Sequence, residues 1–341
     1  MKTLKKNKLL VPAAFSLLIL ILDSSTAMKG AKEGLEMCLQ TVIPSLFPFL
    51  FISSLLTSSL ISTNLKCSRL ICRLYHIPIG AEGILLTGLL GGYPVGARCI
   101  AEAVSNGQLS HDDGKRMLIY CNAAGPAFLF GIIGYIFQQK WIPWCLWGIH
   151  ILSGFCIARL LPAKPGSFVS NQKSNNITIS KRLRNAVLLM GEVCGWIVLM
   201  RILIAFAEKW FLNDVPAAWR ILITGCLELS NGCISLLEIS SIGLRFILSS
   251  IFLSFGGLCV ALQTSSAASN INQRIYLPGK LLQALISFLA SYTIQFFLFD
   301  AEQKTVLPWL SLSAMIVFCG ILLYCSVKQK KSCGILEHIG V

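Results

Sequence analysis

The chain has 341 residues and a net charge of +14, yet only 13% of its residues are charged, while 55% are hydrophobic. Its mean hydropathy is +0.72. Soluble domains are about a quarter charged, so these figures exclude a soluble globule, and the apolar runs also exclude a disordered or collagen-like chain. Runs of membrane-spanning length without the alternation of barrel strands predict an all-α polytopic membrane protein.

Motifs of soluble enzymes are missing from the sequence. The 14 cysteines are scattered and form no Cys-x-x-Cys pair, and the four histidines form no metal-binding motif. No Walker loop and no Gly-x-Ser-x-Gly elbow occurs. We therefore expect no enzymatic activity, no catalytic residue, no metal, no cofactor and no nucleic-acid partner. We read the positive charge as topology information instead.

The chain begins with four lysines followed by the apolar run 9–22 and small residues up to 27. This pattern fits a signal peptide or a retained first helix, and Pro12 together with the polytopic remainder favours the retained helix. Further apolar runs predict membrane spans at residues 39–61, 117–137, 141–161, 186–206, 246–263, 281–299 and 307–325.

Two other apolar stretches, residues 80–104 and 221–243, are interrupted at their centres. The first contains Gly-Gly-Tyr-Pro-Val-Gly at 91–96, and the second contains Glu-Leu-Ser-Asn-Gly at 228–232. A spanning helix would not place proline or asparagine at its centre without a reason. We predict that each stretch is a re-entrant hairpin of two half-helices.

The distribution of basic residues gives the predicted orientation. With both hairpins re-entrant, 20 of the 29 Lys and Arg residues fall in segments on the side of the N-terminus and 7 on the other. The positive-inside rule then predicts that both termini are cytoplasmic. Arg98 and Arg201 lie in apolar surroundings and are assigned to neither side, whereas Lys280 is counted as cytoplasmic.

A polar linker at residues 162–184 divides the chain into an N-terminal half, 1–161, and a C-terminal half, 185–341. The segment 86–90 resembles 223–227, and each hairpin is followed by a span with a second break, at 122–126 and at 254–264. We interpret the halves as inverted-topology repeats, each with a re-entrant helical hairpin and a broken transmembrane helix. The alternative is a coincidence of glycine-rich segments.

Half-helices that begin at membrane depth offer unpaired N–H groups and the positive end of the helix dipole, which favour an anion. Glycines at the breaks would admit a ligand close to the backbone, although they also permit tight helix packing. The candidate substrate-binding residues are Gly91, Gly92, Tyr93, Pro94, Gly96, Arg98, Asn122, Gly125, Pro126, Glu228, Asn231, Gly232, Gln263 and Thr264.

Charges within the membrane are candidates for function because they are costly to place there. Arg98 can donate two hydrogen bonds in a bidentate arrangement to a carboxylate or phosphate. Alternatively, its side chain extends to the cytoplasmic interface or pairs with Glu102. Glu228 and Asn231 can bind a cation or a proton, or Glu228 pairs with a basic residue such as Arg98. Gln263 adds a neutral hydrogen-bonding group.

Several of these segments resemble one family in the same chain order: 42–49, 91–98, 121–126, 224–228 and 254–264. The family is that of the sporulation integral membrane protein YlbJ, also called stage V sporulation protein V. The resemblance implies the nucleoside-recognition (Gate) group, which is related to concentrative nucleoside transporters, and a role in moving dipicolinate toward the forespore. The second half departs from the pattern because it has no Tyr-Pro turn.

These observations together predict a secondary transporter or facilitator for a small planar dianion such as dipicolinate, in the cell membrane or the mother-cell-derived outer forespore membrane. Its expected partners are the anionic substrate, the lipid bilayer, a possible coupling ion and a possible second copy of the chain. Two alternatives stay open. One is a nucleoside transporter that uses Asn122, Glu228, Asn231 and Gln263, and the other is a scaffold or sensor that transports nothing.

Overall fold

The computed structural model describes residues 2–62, 68–162, 166, 168 and 178–299. Within these ranges the chain forms helices joined by turns and loops, with no β-strand. The predicted all-α class is therefore confirmed. The predicted span 307–325 and most of the predicted linker 162–184 lie outside the described residues.

The described part of the N-terminal half forms ten helices. They are α1 (Lys2–Leu22), α2 (Ser24–Met37), α3 (Ile43–Ser62), α4 (Ser68–Tyr75), α5 (Glu82–Gly91), α6 (Val95–Ser105), α7 (His111–Cys121), α8 (Pro126–Phe128), α9 (Gly134–Phe137) and α10 (Ile142–Leu160). Single π-helical turns, Cys38–Val42 and Leu129–Ile133, join α2 to α3 and α8 to α9.

The described C-terminal half contains α11 (Ile179–Ala207), α12 (Ala217–Leu227), α13 (Leu229–Ser235), α14 (Ile242–Phe255), α15 (Gly257–Ala267) and α16 (Tyr276–Phe299). Side-chain caps set several helix starts. Thr178 accepts a hydrogen bond from the Lys181 N–H at the start of α11, and Ser241 accepts one from the Leu244 N–H at the start of α14. Such caps satisfy backbone donors that the first helical turn leaves free.

Six helical stretches of the described chain are long and apolar enough to cross a membrane: Ser24–Ile52, His111–Phe137, Ile142–Leu160, Ile179–Leu212, Ile242–Ala267 and Tyr276–Leu298. Their outer faces carry exposed leucines such as Leu39, Leu188, Leu199, Leu203 and Leu285. Soluble proteins rarely expose so much apolar surface. These faces therefore fit contact with lipid, and the protein is an integral multi-pass membrane protein.

Exposed tryptophans lie near three helix ends. Trp141 and Trp144 lie at the start of α10, Trp210 follows α11, and Trp219 lies in the first turn of α12. Tryptophan is enriched at the membrane–water boundary, so these helix ends fit contact with such a boundary.

Two long spans, Ser24–Ile52 and Ile179–Leu212, begin before their predicted bounds because polar turns stay helical. The predicted span 39–61 begins instead at Ser24, and α11 begins seven residues before the predicted 186. Within α2, a Cβ on Gly30 would lie 2.9 Å from the Ile202 Cα, so α2 and α11 pack closely. Arg201 forms ion pairs with Glu33 at 2.5 Å and Glu208 at 3.1 Å, which accounts for a charge that the sequence leaves unassigned.

Both interrupted stretches form pairs of packed helices. Helix α5 packs on α6, and α12 packs on α13, which ends in the short 3₁₀ turn Leu236–Glu238. The chain breaks at Gly92–Pro94 in the first pair and at Glu228 in the second. That the pairs are re-entrant and that the halves are inverted repeats stay predictions.

The two predicted breaks within spans are also present. Residues 122–125 separate α7 from α8, and Gly256 separates α14 from α15. Gly256 and Gly257 have φ values of +81° and +80°, a conformation that glycine adopts without strain.

Glycines at these positions allow contact between backbones. A Cβ on Gly88 would lie 1.8 Å from the Cys121 carbonyl oxygen, and a Cβ on Gly232 would lie 2.1 Å from the Gly225 Cα. The alternative role considered for the glycines, tight helix packing, therefore applies to these positions.

Candidate functional site

A cleft lies where the chain breaks of the two halves meet. Its inner wall contains Gly92 and Tyr93 from the first hairpin, Gly125 from the first broken span, and Glu228 and Ser230 from the second hairpin. Apolar residues of α3 and α11 form the outer wall, namely Leu46, Leu50, Val193 and Ile197. The cavity volume of the cleft is about 50 Å³.

The structure brings together residues of both halves that the sequence predicts to form one site. Six of the fourteen candidates line the cleft: Gly91, Gly92, Tyr93, Gly125, Glu228 and Gln263. These residues come from segments far apart in the chain. They lie around one cleft, but binding by any of them stays a prediction.

The Glu228 carboxylate caps its own hairpin. Oε1 accepts a hydrogen bond from the Ser230 N–H at 3.0 Å, while Oε2 accepts from the Asn231 N–H at 2.6 Å and from Asn231 Nδ2 at 2.8 Å. In the part of the chain that the structure describes, Glu228 forms no ion pair. The suggested pairing with Arg98 is therefore wrong, because local N–H donors already satisfy this carboxylate.

Asn122 holds the first hairpin from outside it. Its Oδ1 accepts from the Ala97 N–H in the first turn of α6 at 3.3 Å, and its Nδ2 donates to Thr264 Oγ1 at 2.7 Å and Tyr276 Oη at 3.4 Å. Its side chain is fully buried. Asn122 thereby links the first broken span to α6 and to the second half.

His150, which the sequence analysis does not single out, holds the break after Asn122. The Ala124 N–H donates to His150 Nε2 at 3.0 Å, and Nδ1 lies 3.1 Å from Ser254 Oγ. Since Nε2 accepts, the hydrogen-bond pattern assigns the ring proton to Nδ1. A lone histidine within an apolar span has no sequence pattern that distinguishes this role from ordinary burial.

These contacts change the expected anion site. Side chains of the protein itself already accept from backbone N–H groups near three of the breaks: Asn122 at α6, His150 at residue 124 and Glu228 at α13. An anion in the cleft therefore needs positive charge or donors from elsewhere.

Lys280 is a cation that the sequence analysis places wrongly. The positive-inside count assigns Lys280 to a cytoplasmic segment. In the structure, α16 begins at Tyr276, one turn before Lys280, and the Lys280 side chain is 0% exposed. Its Nζ donates to the Asn122 carbonyl oxygen at 2.9 Å, to Gln283 Oε1 at 3.1 Å and to Tyr93 Oη at 3.2 Å. A lysine at the edge of an apolar run resembles an interfacial residue, which explains the error.

A chain of polar groups continues from Lys280 away from the cleft. Gln283 Nε2 donates to Ser153 Oγ at 3.2 Å, and Ser153 Oγ donates to the His150 carbonyl oxygen at 2.8 Å. On the cleft side, the Tyr93 hydroxyl donates to the Leu253 carbonyl oxygen at 3.2 Å. The network therefore joins the first hairpin, both broken spans, α10 and α16.

Arg98 lies in a second, more open cleft. It forms an ion pair with Glu192 of α11, and its side chain is 37% exposed. Ser105 and Asn270 line the same cleft. Arg98 is thus the charged candidate that does not line the central cleft, and it pairs with Glu192 rather than Glu102.

The other candidates have structural surroundings at the breaks. Pro94 occupies the N-cap position of α6, Pro126 begins α8, and a Cβ on Gly96 would lie 2.3 Å from the Cys121 carbonyl oxygen. Asn231 donates to Glu228, Thr264 accepts from Asn122, and Gly232 packs against Gly225. The described residues contain no group of three or more His, Cys, Asp or Glu side chains that could hold a metal ion.

Fold and site define a polytopic helical membrane protein with a buried polar network behind a central cleft. A stretch of 140 residues, 40% of the chain, is 28% identical to the sporulation integral membrane protein YlbJ of Bacillus subtilis (strain 168). This similarity supports the predicted resemblance to the YlbJ family, and the Gate-group assignment stays a prediction. The matched stretch spans about a third (34%) of that relative. No family model and no solved structure significantly matches the chain.

Proposed function

We propose that the protein is a secondary transporter or facilitator that moves a small planar dianion, dipicolinate, across a membrane during sporulation. One observation carries the proposal: the chain breaks of both halves converge on a single cleft. Interrupted helices around a central cavity are typical of secondary transporters. The relative's name supplies sporulation, and the resemblance noted above supplies dipicolinate.

The geometry supports transport better than a purely structural role. Non-helical backbone at membrane depth is tolerated where it is buried in protein or lines a cavity. Here the unwound residues 92–94 and 124–125 have polar partners behind them and cleft space in front. A scaffold would need neither feature. We propose no enzymatic activity.

The direct test is uptake into proteoliposomes made with the purified full chain. Radiolabelled dipicolinate and uridine are compared, with protein-free liposomes as the control. Saturable uptake of dipicolinate alone is expected. Uptake of uridine instead would favour a nucleoside transporter, and uptake of neither would favour a scaffold or sensor and contradict the proposal.

The nucleoside alternative has one observation in its favour. Glu228 and Gln263 both line the cleft and carry acceptors that can bind hydroxyl or amide groups. Asn122, in contrast, is fully buried, and both the oxygen and the nitrogen of its side-chain amide form hydrogen bonds within the protein. Contact between Asn122 and a nucleoside base would require these hydrogen bonds to break.

For orientation, we propose that both termini and the linker are cytoplasmic in the cell membrane or the outer forespore membrane. The start of α11 carries Lys181, Arg182 and Arg184, as the positive-inside rule requires. Reporter fusions after Ser180 and after Val341 should both behave as cytoplasmic. An external reading at either position would contradict this orientation.

A role of Arg98 in anion binding is a separate hypothesis, because Arg98 lies outside the central cleft and pairs with Glu192. A hydrogen bond to a charged group contributes about 1.5–3 kcal/mol, so if a substrate anion replaces Glu192 on Arg98 during transport, Arg98→Gln should weaken dipicolinate uptake at limiting substrate about tenfold to a hundredfold. Arg98→Lys should fall between because it keeps the charge but loses the bidentate arrangement. Unchanged affinity of Arg98→Gln, normalised to folded protein, would make Arg98 structural.

A further inference from the structure

Lys280 is a fully buried basic side chain that donates hydrogen bonds to neutral groups among the described residues. Its three donor contacts go to a backbone carbonyl, an amide oxygen and a phenol oxygen. Within residues 2–62, 68–162 and 178–299, no Asp or Glu forms an ion pair with it. A buried charge is costly unless it is paired, and one within a membrane protein suggests a functional partner.

The position of Lys280 relates it to the central cleft. Its Nζ contacts Tyr93, which lines the cleft, and the carbonyl of Asn122, where the break leading to the cleft residue Gly125 begins. The Nζ also lies 5.2 Å from the centre of the Tyr93 ring. Lys280 therefore lies one layer behind the cleft wall, with the partly exposed Tyr93 between.

Tyr93 lines the cleft and contacts the cation through its hydroxyl, so it links the two. The hydroxyl oxygen accepts from Lys280, and the hydroxyl proton is donated to the Leu253 carbonyl oxygen at 3.2 Å. A hydroxyl that accepts from an ammonium group is a stronger donor, because hydrogen bonds in a chain polarise one another. A carboxylate in the cleft could accept the hydrogen bond from the Tyr93 hydroxyl in place of the Leu253 carbonyl.

Other sources of positive charge are less well placed. Asn122 and Glu228 already accept from N–H groups in the first turns of α6 and α13, and His150 accepts from the Ala124 N–H. Arg98 is paired with Glu192 in the other cleft. Glu228 also lines the cleft and adds negative charge to it. A carboxylate ligand is therefore favoured beside Tyr93 rather than beside Glu228.

We propose that Lys280 is a positioning residue that acts through Tyr93 and gives the central cleft its preference for carboxylate-bearing substrates. This inference rests on the proposed function and deepens it, because it names the group that would distinguish an anion from a neutral ligand of the same shape. A purely structural lysine would stabilise the network without affecting that distinction.

The test uses dipicolinate and its neutral diamide, which share a planar ring and nearly the same size. Isothermal titration of the purified full chain gives both affinities for the wild type, Lys280→Met and Lys280→Arg. Lys140→Met is the matched control, since Lys140 is exposed. We expect Lys280→Met to weaken dipicolinate binding about tenfold to a hundredfold while diamide binding changes little. Lys280→Arg should keep much of the preference.

The ratio of the two affinities decides the outcome. If Lys280→Met keeps the wild-type ratio, Lys280 is structural and the inference is wrong, even if wild-type protein transports dipicolinate. If the wild type binds and transports no dipicolinate, the proposed function fails and the inference fails with it. Should Lys280→Met not accumulate, Tyr93→Phe removes the linking hydroxyl, and an unchanged ratio in that variant would also overturn the inference.

Discussion

The turns of the two hairpins are stabilised in different ways. The first turn, residues 92–94, has partners from elsewhere: Asn122 caps α6, and Lys280 contacts Tyr93. The second turn consists of Glu228 alone, whose carboxylate caps its own helix. The second hairpin is therefore locally complete, whereas the geometry of the first depends on α7 and α16. This difference makes the first turn the element through which distant segments can change the cleft.

The largest expected effect comes from glycines that both hairpins need. Gly88→Ala places a Cβ 1.8 Å from a carbonyl oxygen, and Gly232→Ala places one 2.1 Å from a Cα. Backbone atoms cannot move aside as a side-chain end can, so each variant should lose about 3 kcal/mol or more of folding free energy. The measurement is the thermal midpoint and yield of protein purified in detergent.

Two other glycines provide matched controls for this experiment. Gly148 and Gly191 lie within helices, and a Cβ on either meets no atom within 4 Å. Gly148→Ala and Gly191→Ala should therefore fold at wild-type levels. If the hairpin variants behave like these controls, the close backbone packing of both hairpins is wrong.

Glu228→Ala should have the next largest effect and should be local. It leaves three buried donors of Ser230 and Asn231 without their acceptor, which corresponds to about 2–4 kcal/mol of unfolding free energy. Glu228→Gln keeps one acceptor oxygen and should lose less. Denaturant or thermal unfolding measures the loss of stability in each variant. Equal losses would show that the negative charge of Glu228 stabilises the protein, rather than its hydrogen bonds to the start of α13.

A double-mutant cycle separates the two turns directly. Asn122→Ala and Thr264→Val remove two ends of one hydrogen bond, 2.7 Å long, so their effects on stability should couple by about 0.5–1.5 kcal/mol. Asn122→Ala and Glu228→Ala share no partner and should be additive within about 0.5 kcal/mol. Strong coupling in the second pair would contradict the independence of the hairpins.

The sequence predicted the parts of this architecture that depend on composition and on chain breakers. Apolar runs located the spans, and glycine and proline located the breaks, because those residues constrain the backbone locally. Six candidate residues line one cleft for the same reason. Lys280 and His150 could not be predicted, since each acts through contacts with residues far along the chain. The caps at Asn122 and Glu228 likewise depend on tertiary geometry.

The smallest expected effect concerns pH and the loop that leads into the first hairpin. Burial, together with the nearby Arg159 and Arg116 side chains, lowers the pKa of His76 from 6.5 to about 4. The unfolded chain therefore binds this proton more readily, so stability is intact above about pH 6.5 and falls as the pH drops toward 4.

The His76→Asn variant isolates this contribution. His76 has a φ of +50°, which asparagine tolerates. The variant should lose less stability than wild type between pH 6.5 and 4, as measured by thermal unfolding. The same pH dependence in both proteins would assign the effect to other groups.

The central claim is that one cleft, formed by the breaks of both halves, holds the substrate. Electron cryomicroscopy of the full chain in nanodiscs, with and without saturating dipicolinate, tests it most directly. We predict added density of planar shape between Tyr93, Gly125 and Ser230. Density confined to the Arg98 and Glu192 cleft, or identical maps under conditions where uptake is saturated, would contradict the account.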